Sequence, residues 1–162
     1  MQSWAILQSL IIVALANGTP VIAKKIFGQR FAWPLDGGAI FFDSRPLFGS
    51  SKTIRGILIS ILVTTAGAPL IGIAPEIGAA MAGAAMAGDL LSSFLKRRLG
   101  LPPSSRALGL DQVPESFLPL LAGRGALSLT AADIAVAMAI FFVGEILLSR
   151  LLYKAHLRDQ PY

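Results

Sequence analysis

Residues Ser3 to Ala23 form a run of 21 residues without a single charge. A helix of that length reaches about 30 Å, the thickness of a bilayer's hydrocarbon core. A cleaved leader is the other reading, because Ala14-Leu15-Ala16 has the small-x-small form of a cleavage site. No Lys or Arg precedes Lys24, however, so the basic start of such a leader is missing. The run therefore reads as a first membrane span. Late in it, Asn17-Gly18-Thr19-Pro20 removes a backbone donor and loosens the chain. That predicts either a helix break lining a polar cavity or a plain helix end.

The pattern recurs. Gly56 to Pro75 is uncharged, and Ile77 to Leu95 carries Asp89 alone among Gly78, Gly83, Gly88 and many alanines. Small residues let helices approach closely in lipid, and the same faces permit a homodimer. Ala107 to Gly123 is 17 residues long, the lower limit for a span, and contains Pro114 and Pro119. It is either a distorted fourth span or a re-entrant piece. A last run extends from Ala131 to Tyr153, interrupted by Glu145, and Thr130-x-x-Asp133 before it has the form of a helix start. Charged residues make up 14% of the chain, against about 25% in soluble domains. The expected fold is all-α: a polytopic integral membrane helix bundle of about five transmembrane helices, one of them broken or short. A single membrane-embedded domain, 1–162, carries loops 24–55 and 96–110 and a tail 154–162.

If all five segments cross, the two loops, the tail and Arg150 at the end of the last span share one side and account for every Lys and Arg of the 14 except Arg124. Such an excess marks the cytoplasmic face. The expected location is the cell membrane, multi-pass, with the amino terminus outside and the functional face toward the cytoplasm. The cations sit at the ends of apolar runs rather than over a surface, which argues against a nucleic-acid partner despite the net charge of +5. The absence of Cys excludes thiolate metal sites and thiol nucleophiles, and a single His, His156, excludes a multi-histidine site.

The stretch GDLLSSFLKRRLG, Gly88 to Gly100, carries the chemistry. As a helix it places Asp89, Ser92, Ser93, Lys96 and Arg97 on one face, with Lys96 about 10 Å along the axis from Asp89. An ionisable group inside a span is costly and is a functional candidate by default. Asp111 follows in Leu110-Asp111-Gln112, near the same membrane face. Carboxylates with room for water suit Mg²⁺, and cations around such a metal stabilise charge in phosphoryl or nucleotidyl transfer. Salt bridges at a bundle end, attracting anionic lipids, account for the same residues equally well. In the first loop, Gly49-Ser50-Ser51-Lys52-Thr53 offers small residues and backbone N–H groups beside Lys52 and Arg55, a phosphate-binding arrangement or simply a basic flank. A non-catalytic membrane protein that binds anionic lipids or a partner therefore stays open, as does a small transporter using a broken first helix.

The chain resembles the CDP-archaeol synthase family, relatives of phosphatidate cytidylyltransferases. The resemblance runs through Ala16-Asn17-Gly18-Thr19-Pro20, Leu35-Asp36-Gly37-Gly38, Lys52-Thr53-x-Arg55-Gly56, GDLLSSFLKRRLGL at 88–101, GLDQ at 109–112 and YKAHLRDQPY at 153–162. A divergent, bacterial-type member fits the same motifs. The resemblance implies a five-helix membrane enzyme that transfers CMP from CTP to a lipid phosphate with Mg²⁺, releasing pyrophosphate. Its partners would be CTP, the lipid phosphate and the bilayer. Carried onto this chain, it makes Asp89 and Asp111 metal ligands and catalytic residues with Lys96. Lys52, Thr53, Arg55 and Arg97 would hold phosphates, and Asn17, Thr19 and Asp36 would line the nucleotide pocket. The chain departs from the family pattern twice. Ser50-Ser51 stands where the loop commonly has Asp-Gly, and Val113-Pro114-Glu115 stands where a second Asp commonly follows the LDQ.

Overall fold

A computed structural model describes residues 2–105 and 107–154. Arg106, His156, Arg158 and the tail beyond Lys154 lie outside the described residues. Among the described residues five helices follow in order: α1 (Ser3–Phe27), α2 (Ile54–Gly67), α3 (Pro75–Arg98), α4 (Gln112–Gly123) and α5 (Ala131–Lys154). A short 3-10 turn, Ala68–Ile71, extends α2. Four of these stretches are long and apolar enough to cross a membrane. The fourth helix has 12 residues, about 18 Å of rise, and falls short of the hydrocarbon thickness. It nonetheless carries the chain between the two ends of the bundle. Its start lies beside the last turn of α3, through Lys96 and Asp111. The turn after it reaches the amino-terminal end, where Gln2 donates to Ser128 O at 3.1 Å.

The distribution of side chains is inside-out relative to a water-soluble bundle. Ser9, Ser60, Thr64, Ser92 and Ser93 are buried, while Leu58, Leu62, Leu91 and Leu147 point outward. Lipid accepts the leucines, and the hydroxyls must find partners within the protein. Three apolar layers succeed one another along α1. Ile6 packs with Leu120, Leu129 and Ala137, then Ile12 with Met81, Ala68 and Ile73, then Ala16 with Ala82, Ala85 and Met86. The alanine layer is the narrowest in side-chain volume and lies nearest the cation-rich end. The capping pattern expected at Thr130 is present: Asp133 Oδ2 accepts from Thr130 N at 3.1 Å, and Thr130 Oγ1 accepts from Asp133 N at 3.2 Å.

The first helix neither breaks nor ends at Pro20; it runs on to Phe27. Proline has no N–H for the carbonyl four residues back, Ala16 O. Ser60 of α2 supplies the missing donor, its Oγ lying 2.7 Å from Ala16 O. A neighbouring hydroxyl that re-satisfies a freed carbonyl is what lets a membrane helix keep its proline. Ser60→Ala is expected to destabilise the protein by about 1 kcal/mol, read as a lower Tm in detergent. In a Pro20→Ala background the same substitution should cost almost nothing, because the restored N–H takes the carbonyl.

Candidate functional site

The polar stripe of α3 faces inward. Ser92, Ser93, Lys96 and Arg97 are all buried, whereas Leu91 and Leu99 on the other faces are exposed. The stripe therefore meets α4 and the first loop rather than lipid or water.

The loop is held in place by Asp36. Its Oδ1 accepts from Gly38 N at 3.0 Å, and its Oδ2 accepts from Phe48 N and Gly49 N at 2.9 and 3.1 Å. Burial pushes this carboxyl up, but the three N–H groups outweigh that and hold it below its ordinary value of 3.8. Leu35 N donates to Lys52 O at 2.8 Å, and Ile54 N to Trp33 O at 3.1 Å, so the loop's two ends pair as a short antiparallel bridge. A depressed carboxylate pKa gives stabilisation that is full above the unfolded value and lost as pH falls through the folded one. The loop should thus resist proteolysis at neutral pH and become sensitive below about pH 4. Asp36→Asn should be sensitive throughout, without that pH step.

The anchored loop delivers Lys52 to Asp89, and the two form an ion pair. One turn-pair further along α3, Lys96 Nζ lies 2.7 Å from Asp111 Oδ1 and donates to Ser105 O at 2.9 Å. Asp111 Oδ2 accepts from Ala107 N at 2.9 Å. The two aspartates expected to share a metal thus go to different lysines. Asp89 has another acid beside it. The Glu115 carboxyl, on the first turn of α4, lies close to that of Asp89, with Lys52 and Glu145 near the same group. Gly88 makes this approach possible. A Cβ built there falls onto Pro114 O, 2.6 Å from Pro114 C and 2.9 Å from Glu115 N.

Other expected ligands turn out to have structural duties. Thr53 is the N-cap of α2, its Oγ1 accepting from Gly56 N at 3.1 Å. Arg55 donates to Gly28 O at 3.1 Å and to Arg30 O, closing the base of the loop. Thr19 donates back to Leu15 O at 2.6 Å, and Asn17 Nδ2 lies 3.4 Å from Glu115 O. Arg97 donates to Pro102 O at 2.8 Å, and its Nη1 borders Gly49, where a Cβ would lie 3.2 Å away. The buried Arg97 Nε has no partner among the described residues. Arg98 pairs with Asp43 at 3.1 Å and sits over the rings of Phe41 and Phe94, at 4.7 and 4.8 Å. Lys52, Lys96, Arg97, Asp89 and Asp111 thus gather where loop, α3 and α4 converge, whereas Thr53, Arg55 and Asp36 build the surrounding frame. Glu115 is the residue that sequence reasoning passed over. The signal was present in Val113-Pro114-Glu115, the segment that follows the LDQ, where the resemblance leads one to expect a second acid.

A family model described as "CarS-like: CDP-archaeol synthase" matches residues 76–162, more than half of the chain and the part that holds α3, Asp111 and Glu115. The chain belongs to the CDP-archaeol synthase family. Named CDP-archaeol synthases similar to it include that of Pyrobaculum calidifontis, 37% identical over 66% of this chain and 66% of the relative. That of Thermococcus onnurineus is 39% identical over 60% of this chain and 61% of the relative. The chain thus spans slightly under two thirds of the length of these two. A longer match, to the CDP-archaeol synthase of Sulfurisphaera tokodaii, is 31% identical over 91% of this chain and 89% of that one. Among solved structures, an intramembrane enzyme for archaeal membrane lipid biosynthesis superposes with a TM-score of 0.71 at 29% identity, over 85% of this chain and 90% of that one. This family member is a multi-pass, all-helical membrane protein.

Proposed function

We propose that this chain transfers CMP from CTP to a lipid phosphate of the archaeol type, giving a CDP-lipid and pyrophosphate. The observation that carries this reading is the Lys52–Asp89 pair. It joins the family's helix motif to its loop motif at one point inside the bundle. An acid–cation pair at membrane depth is costly unless it has a task. A lipid-phosphate oxygen would attack the α-phosphorus of CTP, and the bond to the bridging oxygen of the pyrophosphate would break. No protein nucleophile is needed, in keeping with a chain that has no Cys.

Among the described residues no group of three or more His, Asp or Glu forms a metal cage. Mg²⁺ commonly takes one or two carboxylates and completes its shell with water and substrate phosphates. Asp89 with Glu115 beside it is that kind of donor set, so these two residues would hold the ion. When bound, Mg²⁺ supplies charge neutralisation on the phosphates. Lys52, released from Asp89 as the site fills, would bind a phosphate of CTP. Lys96 and Arg97 would bind the pyrophosphate or the acceptor phosphate, with Asp111 fixing Lys96 rather than ligating metal. Asp36 orients the loop that carries Lys52. The cation-rich end faces the cytoplasm of the cell membrane, where CTP is available, in line with the charge bias of the loops.

Purified protein in detergent, given CTP, Mg²⁺ and a panel of lipid phosphates, is expected to release pyrophosphate with at least one ether-lipid acceptor. If no acceptor in the panel supports release, the reading is overturned for those lipids.

A further inference from the structure

Glu115 reaches Asp89 only if the first turn of α4 is held in place, and that turn contains a defect. Pro119 lies inside α4 and lacks the N–H that would bond to the carbonyl four residues earlier, Glu115 O. A donor for that carbonyl comes from α1: Asn17 Nδ2, at 3.4 Å. The same substitution of a side chain for a proline N–H occurs at Pro20, where Ser60 bonds Ala16 O at 2.7 Å. Two prolines on two helices thus each depend on a neighbour. Asn17 and Pro20 lie in the same motif on α1, so that segment both receives such help and gives it.

We propose that Asn17 is a positioning residue: its amide stands in for the N–H that Pro119 lacks, and so sets the Glu115 carboxyl against Asp89. The bond is to the backbone of the very residue whose side chain matters. Gly88 brings α4 close to α3, and Asn17 fixes the helical turn that decides where Glu115 points. This assigns Asn17 a task different from lining the nucleotide pocket. It rests on the cytidylyltransferase reading for its kinetic consequences but not for its structural ones.

The test is a double-mutant cycle with Asn17→Ala, Pro119→Ala and both together. The Pro119→Ala variant regains a backbone N–H for Glu115 O, which makes Asn17 dispensable. Asn17→Ala alone is expected to lower kcat about tenfold, to raise the Mg²⁺ concentration at half-maximal rate and to leave KM for CTP within about twofold. In the Pro119→Ala background the same change should alter kcat by less than about twofold. Tm in detergent should follow the same pattern: a loss for Asn17→Ala alone, and a much smaller loss when Pro119→Ala is also present. An additive cycle in Tm overturns the proposal, with or without turnover. A rise in KM for CTP that Pro119→Ala does not relieve also overturns it, and returns Asn17 to the nucleotide pocket. If the wild-type chain shows no turnover, the functional reading fails while the Tm cycle still decides the role of Asn17.

Discussion

Asp89→Asn is expected to reduce pyrophosphate release by about 10²–10³-fold or more while leaving the fold intact. The change is nearly isosteric, so packing on α3 is preserved. What is lost is the negative charge that pairs with Lys52 and lies against Glu115. Without it, Lys52 loses its ion-pair partner and keeps only Glu115 nearby, and the Asp89–Glu115 pair is left with one carboxylate to offer a cation. The Mg²⁺ requirement should therefore shift to much higher concentrations, which separates this substitution from a change in acceptor binding. Tm in detergent is the control and should move by only a few degrees. Turnover within about threefold of wild type, at saturating Mg²⁺, would remove Asp89 from the chemistry. A matched Asp111→Asn variant should behave differently. Its effect should appear as a raised KM, because Asp111 acts by holding Lys96.

The spans were legible because membrane helices announce themselves by uncharged length, and the polar stripe on α3 was legible from helical spacing alone. What could not be read were the contacts that join residues far apart in the chain. Local rules at Pro20 predict a break or an end, and the helix continues because Ser60 lies against Ala16, 44 residues away in sequence. Thr53 and Arg55 resemble phosphate ligands in their motif, yet one caps α2 and the other ties two loop carbonyls. Asp36 was marked as a site residue for its place in Leu35-Asp36-Gly37-Gly38, but its three N–H partners lie up to 13 residues further along the loop. Glu115 was the largest omission. Its neighbour Pro114 marked a departure from the family pattern, and only the packing of Gly88 against that proline shows where the next carboxyl goes.

Gly88→Ala should be among the most damaging small substitutions in the protein. On helix propensity alone the change is favourable, by about 0.8–1.0 kcal/mol. Packing opposes it. The new methyl would meet the backbone of α4, 2.6 Å from Pro114 C and 2.9 Å from Glu115 N, with Pro114 O nearer still. Backbone atoms in a helical turn cannot swing aside as the end of a long side chain can. Overpacking of this kind costs about 1–3 kcal/mol or more, and here α3 and α4 must separate along the most extensive helix–helix contact of the bundle. The clash wins, and Tm should fall. The functional loss should exceed the loss of stability, because the displaced turn carries Glu115 and follows directly on Asp111 and Gln112. Gly83, five residues earlier on α3, is the control. A Cβ there meets nothing within 4 Å, so Gly83→Ala should keep its turnover and gain slightly in Tm. Equal behaviour of the two variants would show that α4 is not held by contact at Gly88, and that Glu115 reaches Asp89 by some other constraint.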